Sequence, residues 1–299
     1  MPFSIAVVTW NSERDLPRLI ESIHEHLPAD EYELIFVDSA SSDSSPKLAK
    51  ELAPEANVLA LEENVGFGIG CNIGTREATG DVVVLLNPDT ALVDGSLADL
   101  AQLARDERAL FGARLLNEDG SWQISAFPRV ASWEGALLAV WPGALMPRRL
   151  RQRCEPWRFD QRLPAGWISA ACLAGRRDLL LELGPFDERL HLYGEDTDLG
   201  VRAWLAGVPS LFAPDAARVI HITGRSGQQR FSDVGMRRKV AGRRWVVREH
   251  LGRGALALDN VVEFIRHGSR WLLKKLMRRD AAEDGAWVKA MFSRGDSPG

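Results

Sequence analysis

Between Asp81 and Thr90 the chain reads DVVVLLNPDT, with five apolar residues in a row from Val82 to Leu86. A strand without polar alternation is buried on both faces, as in a parallel sheet covered by helices. The run stops at Asn87-Pro88-Asp89. Proline has no N–H for the ladder, so Asp89 is expected just past the strand's carboxyl end. Ligands of open α/β sheets bind at that edge. A carboxylate there can hold a divalent cation and, through it, a diphosphate. The alternative is a turn in which Asp89 only caps a following helix.

The segments before this run repeat one alternation. Phe3 to Thr9 and Tyr32 to Val37 read as strands, the second ending in Asp38, and Asn57 to Leu61 as a third. Between them lie a helix over about Asp15 to His26, with Leu16, Leu19, Ile20 and Ile23 on one face, and a second helix capped by Asp43-Ser44-Ser45. A Gly-interrupted helix over Gly68 to Ala78 leads into the central strand. Strand and helix alternating with short connections predict a mostly parallel α/β sheet, with right-handed crossovers and helices on both faces. Two strands of that sheet end in aspartates, Asp38 and Asp89, which points to one shared site. Further on, Leu110 to Leu116 and Trp122 to Phe127 read as strands around an Asn117-Glu118-Asp119-Gly120 turn. Residues 130–165 give no regular pattern. Helices are expected over Asp178 to Leu183 and Glu195 to Ala206, and short strands over Ser210 to Ala213 and Arg218 to Ile222.

The 299 residues suffice for one large domain, and 45% apolar with 26% charged residues is ordinary for a globular chain. A net charge of -4 gives no reason to expect nucleic acid as a partner, but the charge is uneven. Met236 to Arg279 carries 13 Lys/Arg against 3 Asp/Glu on an otherwise acidic chain. A basic tail of this kind suggests a polyanionic surface as partner. Three cysteines (Cys71, Cys154, Cys172) without metal-type spacing suggest a reduced, cytoplasmic setting. The N-terminus lacks the basic stretch of a signal peptide, and Gly135 to Met146, broken by Pro142, is too short to span a bilayer.

Three further stretches carry candidate chemistry. YGEDTDLGVRAWLAG places Glu195, Asp196 and Asp198 at the start of a helix, where acids favour the positive end of the macrodipole. Three acids in four positions exceed what a cap needs, and one could take a proton from a substrate hydroxyl. His221 ends a short strand. A lone histidine is more often structural, but beside an aspartate-bound cation its imidazole suits Mn²⁺ and similar ions. Asn64, Gly66, Gly68, Gly70 and Asn72 form a Gly-rich turn opening a helix, where backbone N–H groups can approach a phosphate or a sugar.

Taken together, VVTWN, VDSASSD, ENVGFGIGCNIG, LLNPDT, WISAACLAGRR, GPFDERLHLYGEDTDLGVRAWLAG and HITGRSG, in that order over about residues 3–227, resemble the inverting glycosyltransferases of family 2, which have the GT-A fold. The resemblance is to the rhamnosyltransferase-like branch, whose relatives transfer rhamnose or galactofuranose in bacterial cell-envelope synthesis. It implies that Thr9 and Asp38 contact the base and ribose of a nucleotide-sugar donor. It also implies that Asn87-Pro88-Asp89 occupies the family's DxD position, with Asp89 holding a divalent cation (Mg²⁺ or Mn²⁺) and the diphosphate. Asn87 departs from the pattern and lowers the charge there. By the same resemblance Asp196 is the general base, with Glu195 beside it and Asp198 positioning the loop, and His221 is a further metal ligand. Gly66, Asn72 and the Ser169-Ala170-Ala171 turn shape the donor and acceptor pockets.

The implied reaction moves a sugar, rhamnose from dTDP-rhamnose as first choice, to a glycan or polyprenyl-diphosphate-linked acceptor. The alternatives are another UDP-sugar transferase, such as a galactofuranosyl one, and a non-catalytic nucleotide-sugar-binding scaffold. The expected organisation is a GT-A domain over 1–235, with the nucleotide-sugar half to about 116, and a helical basic extension over 236–299. In that extension Val261, Phe264, Ile265, Trp271, Leu272, Leu273 and Leu276 alternate with Arg266, Arg270, Lys274, Lys275, Arg278 and Arg279. Lys/Arg interleaved with Trp/Phe/Leu suits an interfacial helix on an anionic membrane surface. Packing on the domain with a solvated charged face is the alternative.

Overall fold

The computed structural model of the chain describes residues 2–190, 193–222 and 233–293. Strand β1 (Phe3–Thr9) is paired in parallel with β2 (Tyr32–Asp38), β2 with β3 (Asn57–Ala60), and β1 on its other side with β4 (Val82–Leu86). Every residue of β1 and β4 is buried, as an unbroken apolar run requires. The two-residue period of β1 divides the core. Phe3, Ile5 and Val7 pack against α1 (Leu16–His26), while Ala6 and Val8 pack on the opposite side with Cys71 of α3 (Gly66–Glu77). Helix α2 (Ser45–Leu52) crosses between β2 and β3. Gly70 and Gly74 let α3 lie close on the sheet, since a Cβ at Gly70 would fall 2.7 Å from a Val8 methyl.

Beyond β4 the chain forms β5 (Thr90–Leu92), α4 (Leu97–Asp106), β6 (Leu110–Gly112), β7 (Arg114–Leu116), β8 (Ala126–Phe127), α5 (Trp133–Val140), α6 (Arg148–Cys154), β9 (Leu163–Ala165), β10 (Trp167–Ile168), β11 (Cys172–Arg176), α7 (Arg177–Leu183), α8 (Glu195–Leu205), β12 (Ser210–Phe212) and β13 (Arg218–His221). The main sheet has the order β3-β2-β1-β4-β11-β6-β12-β9, with β11 antiparallel to both neighbours. Smaller sheets join β5-β13-β7 and β10-β8. The expected single strand Leu110 to Leu116 is divided at Ala113, so that β6 enters the main sheet and β7 a small one. The expected strand from Trp122 shrinks to Ala126–Phe127, with one isolated bridge at Trp122. The patternless region 130–165 contains α5 and α6, and Ser132 caps α5 by accepting from the Gly135 N–H.

The C-terminal part is a helical hairpin. A helical stretch Asp233–Leu276 is broken at Gly252, where φ is 87°, and Ala282–Met291 folds back along it. The stretch after the break is inverted relative to an ordinary surface helix. Its inward face carries Asp259, Glu263 and His267, all buried, while Leu258, Val261, Ile265, Leu272 and Leu276 are exposed. Half-buried Arg243 donates to both oxygens of Asp259 at 2.8 Å and to Glu263 at 3.3 Å. Asp284 pairs with His267 at 2.8 Å and Lys274 at 2.6 Å. The Asp259 carboxylate also accepts from the Ala131 N–H at 2.9 Å, tying the hairpin to the segment that leads into α5. The charge network ties the hairpin's own arms together and neutralises part of the basic excess seen in the sequence, while Trp245, Val246 and Val247 pack the hairpin on Val130, Leu190 and Val201 of the domain. Among the described residues no helix is long and apolar enough to cross a membrane.

Candidate active site

Three strands deliver side chains to the carboxyl edge of the main sheet. At the ends of β1 and β2, Thr9 lies opposite Asp38 and donates its hydroxyl to Asp38 Oδ1 at 2.8 Å. Ser41 donates to both Asp38 oxygens, by its hydroxyl at 2.6 Å and its N–H at 2.9 Å. The buried carboxylate thus organises the VDSASSD loop. Beside it Asn64 Oδ1 accepts from the Ser39 hydroxyl and the Gly66 N–H, closing the Gly-rich turn. Gly66 takes φ 80°, a left-handed conformation suited to glycine, and opens α3.

At the end of β4, Pro88 breaks the run and the chain turns into β5, so Asp89 caps no helix. Its backbone carbonyl accepts from the Ile222 N–H, and β5 pairs with β13, bringing His221 against it. His221 Nε2 is 3.3 Å from Asp89 Oδ1 and 3.4 Å from Asn87 Nδ2. Gln123, from the loop before β8, fixes the ring: its Oε1 lies 3.0 Å from His221 Nδ1, and its amide donates to the His221 carbonyl at 2.6 Å. An amide oxygen only accepts, so Nδ1 carries a proton, and Nε2 is the ring nitrogen turned towards Asp89 and Asn87. Asn87 Oδ1 is buried with no hydrogen-bond partner. A carboxylate, an imidazole nitrogen and an amide with an orphaned oxygen, gathered at the end of β4, are donor types that fit a divalent cation. Among the described residues no group of three His, Cys, Asp or Glu is placed to hold a metal ion. The Ser169-Ala170-Ala171 turn adjoins the cluster, since the Asn87 N–H donates to the Ala171 carbonyl at 3.0 Å.

The acidic turn stands at the start of α8. Tyr193 at φ 71° and Gly194 at φ 108° reverse the chain just before Glu195. Glu195 is buried, with Oε2 unpartnered; burial, and after it the neighbouring charges of Asp196 and Asp198, push its carboxyl up to about 8. Its charge also bears on Cys71 of α3, a thiol raised mainly by burial, which places the turn beside the α3 side of the sheet. Asp196 is half-buried, and one oxygen accepts from the Thr197 N–H at 2.8 Å. Asp198 is fully buried between Arg202, 2.7 Å away, and His250 of the C-terminal helix, 2.6 Å away. Of the three acids Asp196 is the one that is not fully buried.

A family model described as Glycosyl transferase family 2 matches residues 4–167. The chain belongs to glycosyl transferase family 2. It is 31% identical over 224 residues to the N-acetylglucosaminyl-diphospho-decaprenol L-rhamnosyltransferase of Mycobacterium tuberculosis, covering 69% of this chain and 72% of that one. It is 27% identical to the uncharacterised glycosyltransferase YwdF of Bacillus subtilis, over 96% of both chains. Among solved structures, the mannosyltransferase PcManGT of Pyrobaculum calidifontis, solved with GDP-Man and Mn²⁺, superposes with a TM-score of 0.61 at 16% identity over 97% of this chain and 83% of that one. GalNAc-T7, solved with UDP, GalNAc and Mn²⁺, gives 0.60 at 21% identity over 83% of this chain and 47% of that one. These two likenesses carry the GT-A fold, and family membership makes the chain a glycosyltransferase.

Within that family frame, Asn87, Asp89, His221 and the Ser169–Ala171 turn gather at the end of β4, while Thr9, Asp38, Asn64 and Gly66 line the ends of β1, β2 and the start of α3. The Asn72 amide donates to the Phe186 carbonyl and accepts from the Phe186 N–H, both at 2.9 Å, and so holds the GPFDE turn against α3. The HITGRSG stretch beyond Ile222, and His191 and Leu192 of the acidic stretch, lie outside the described residues. Sequence reasoning missed Gln123 and His250. Neither sits in a motif, and each meets its partner across a long separation in the chain.

Proposed function

We propose that this glycosyltransferase moves a sugar from a nucleotide sugar, with inversion, to a hydroxyl of a lipid-linked or glycan acceptor. The observation that carries the reading is the Asn87–Asp89–His221 cluster at the end of β4, with Asp196 on the acidic turn as the candidate base. Asp196 removes the proton of the acceptor hydroxyl, whose oxygen attacks the anomeric carbon from the face opposite the leaving group. The bond from that carbon to the diphosphate breaks as the new one forms, its electron pair leaves with the nucleoside diphosphate, and Asp196 keeps the proton. Asp89, His221 and Asn87 Oδ1 would hold a divalent cation, which when bound neutralises charge on the departing diphosphate. One displacement needs one base and no protein nucleophile.

The relative from Mycobacterium tuberculosis supports dTDP-rhamnose as the first donor to try and a polyprenyl-diphosphate-linked acceptor. The exposed apolar face of the C-terminal helix supports a membrane location for that acceptor. Leu258, Val261, Ile265, Leu272 and Leu276 are flanked by exposed Arg253, Lys275, Arg278 and Arg279, a composition that suits the anionic headgroups of the cytoplasmic leaflet.

A thermal-shift panel tests the reading. dTDP-rhamnose, UDP-sugars and the free diphosphates are each added with and without Mn²⁺ or Mg²⁺, and a ligand that binds the native state raises the midpoint. The expected result is metal-dependent stabilisation by dTDP or UDP compounds. Asp196→Asn should keep that shift and lose turnover by about 10²–10⁴-fold. A folded sample that answers to no nucleotide sinks the reading.

A further inference from the structure

The acidic turn is an unfavourable piece of backbone held from outside. Tyr193 has a side chain and still adopts φ 71°, and Gly194 follows at φ 108°. Two successive left-handed residues persist only where the surroundings over-determine them. The surroundings are the C-terminal helix. A Cβ on Gly242 would fall 2.2 Å from the Tyr193 carbonyl oxygen, and one on Gly194 would fall 3.1 Å from Gly242 Cα. The two backbones therefore touch directly, at a point where only glycine fits on the helix. Lys239, one turn earlier, lies 5.1 Å over the Tyr193 ring. Two turns past Gly242, His250 Nε2 meets Asp198 Oδ1 at 2.6 Å. A carboxylate only accepts, so His250 Nε2 donates.

The opposite side of Asp198 is fixed by Arg202, which also donates to the carbonyls of Gly184 at 2.7 Å and Pro185 at 3.0 Å. His250 is steadied in turn by the edge of Trp245, over which Arg189 of the GPFDER turn stacks at 4.6 Å while reaching Glu249 at 3.2 Å. The start of α8 is thus clasped at two points by one helix.

We infer that the helix beginning at Asp233 is a working part of the catalytic centre, and that Gly242 and His250 are positioning residues that set where Asp196 stands. The inference rests on Asp196 being the base, as proposed above. Misplacement of a reacting group by about 1 Å costs on the order of 10²-fold in rate. Loosening the clasp should therefore act on turnover and leave nucleotide binding intact, because Thr9, Asp38 and Asp89 lie on other elements.

The test compares full-length wild type with His250→Ala and His250→Gln, whose amide can donate to Asp198 from a similar reach. Two readouts are taken: amide hydrogen exchange over residues 193–198, and release of nucleoside diphosphate from dTDP-rhamnose and from UDP-sugars. Expected for His250→Ala are exchange at least about 10-fold faster in the turn, with β1 and β4 unchanged, and kcat lower by about 10- to 100-fold at an unchanged donor KM. His250→Gln should recover most of both. Gly242→Ala, pressed against the Tyr193 carbonyl, should behave as His250→Ala does. Wild-type exchange and kcat in His250→Ala overturn the inference, as does faster exchange throughout the domain, which marks a global rather than a positional effect. If the wild type turns over no donor, the proposed function fails, and the exchange comparison still decides whether the helix holds the turn.

Discussion

His221 Nδ1 stands 3.0 Å from Gln123 Oε1, and the same glutamine donates to the His221 backbone carbonyl at 2.6 Å. The side chain thus fixes a proton on Nδ1 and the orientation of the imidazole, leaving Nε2 directed at Asp89 and Asn87. Partners of this sort around a metal site are worth about 10- to 100-fold in metal affinity. Gln123→Ala should therefore weaken Mn²⁺ binding by that factor in calorimetric titrations run with UDP or dTDP present. Nucleotide affinity in the absence of metal should not change. Equal Mn²⁺ affinity in both proteins would mean that the ring needs no such support.

Glu195 predicts an unusual pH dependence. Its carboxyl moves from an ordinary 4.5 to about 8 in the folded protein, first through burial and then through Asp196 and Asp198. Between those values the native state keeps a proton that the unfolded chain has released, so stability falls as pH rises from about 4.5 to about 8. Below 4.5 both states are protonated and the group contributes no slope. Glu195→Gln keeps the neutral shape, so the variant should match wild type near pH 4 and melt higher than it at pH 8. A wild-type midpoint no more pH-sensitive than that of the variant would contradict a protonated Glu195.

The charged interior of the C-terminal hairpin responds in the opposite sense. Burial alone would raise Glu263, but Arg243, His267 and Arg266 outweigh it and hold the carboxyl well below its usual range. That contribution is complete above about pH 4.5 and is lost as pH falls. Removing the cation from a buried pair leaves uncompensated charge, at about 3–5 kcal/mol. Arg243→Met should therefore destabilise the protein by about that much in urea unfolding at pH 7. A loss under about 1 kcal/mol would place the network in water rather than in the interior.

The parts legible in the sequence were those fixed by local rules. β4 was readable because burial on both faces leaves no polar position, and Asp89 because Pro88 ends the strand one residue earlier. The start of α8 was readable from acids at a helix N-terminus. Asn72 shows where that reasoning stops, since nothing local to a Gly-rich turn says that its asparagine meets the backbone of Phe186, 114 residues on. Gln123 and His250 were unreadable for the same reason, their partners being 98 and 52 residues away. The tail gave a partial signal. Interleaved apolar and basic residues announced an amphipathic helix without saying which face is inside. Asp259, Glu263 and His267, at successive i,i+4 positions, form the polar stripe that the fold turns inward.

That inversion supplies the last prediction. A helix whose charged face is used up against Arg243 and Asp284 has only its apolar face to offer outward, and exposed Leu272, Leu276 and Phe264 extend it towards the basic Lys275, Arg278 and Arg279. On an anionic surface each such cation is worth about 1 kcal/mol, and the apolar side chains add burial in the headgroup region. In co-sedimentation the protein should bind vesicles containing phosphatidylglycerol far better than pure phosphatidylcholine vesicles, with binding that weakens as salt rises. Reversing the three cations with Lys275→Glu, Arg278→Glu and Arg279→Glu should lower the bound fraction by at least about 10-fold. Ile265→Glu with Leu272→Glu, which removes apolar area instead, should lower it on both kinds of vesicle. Neither set of changes touches Arg243, Asp259 or Glu263, so the hairpin should keep its fold and its melting temperature. Absence of wild-type binding to the anionic vesicles at low salt would rule out the membrane as the occupant of this face.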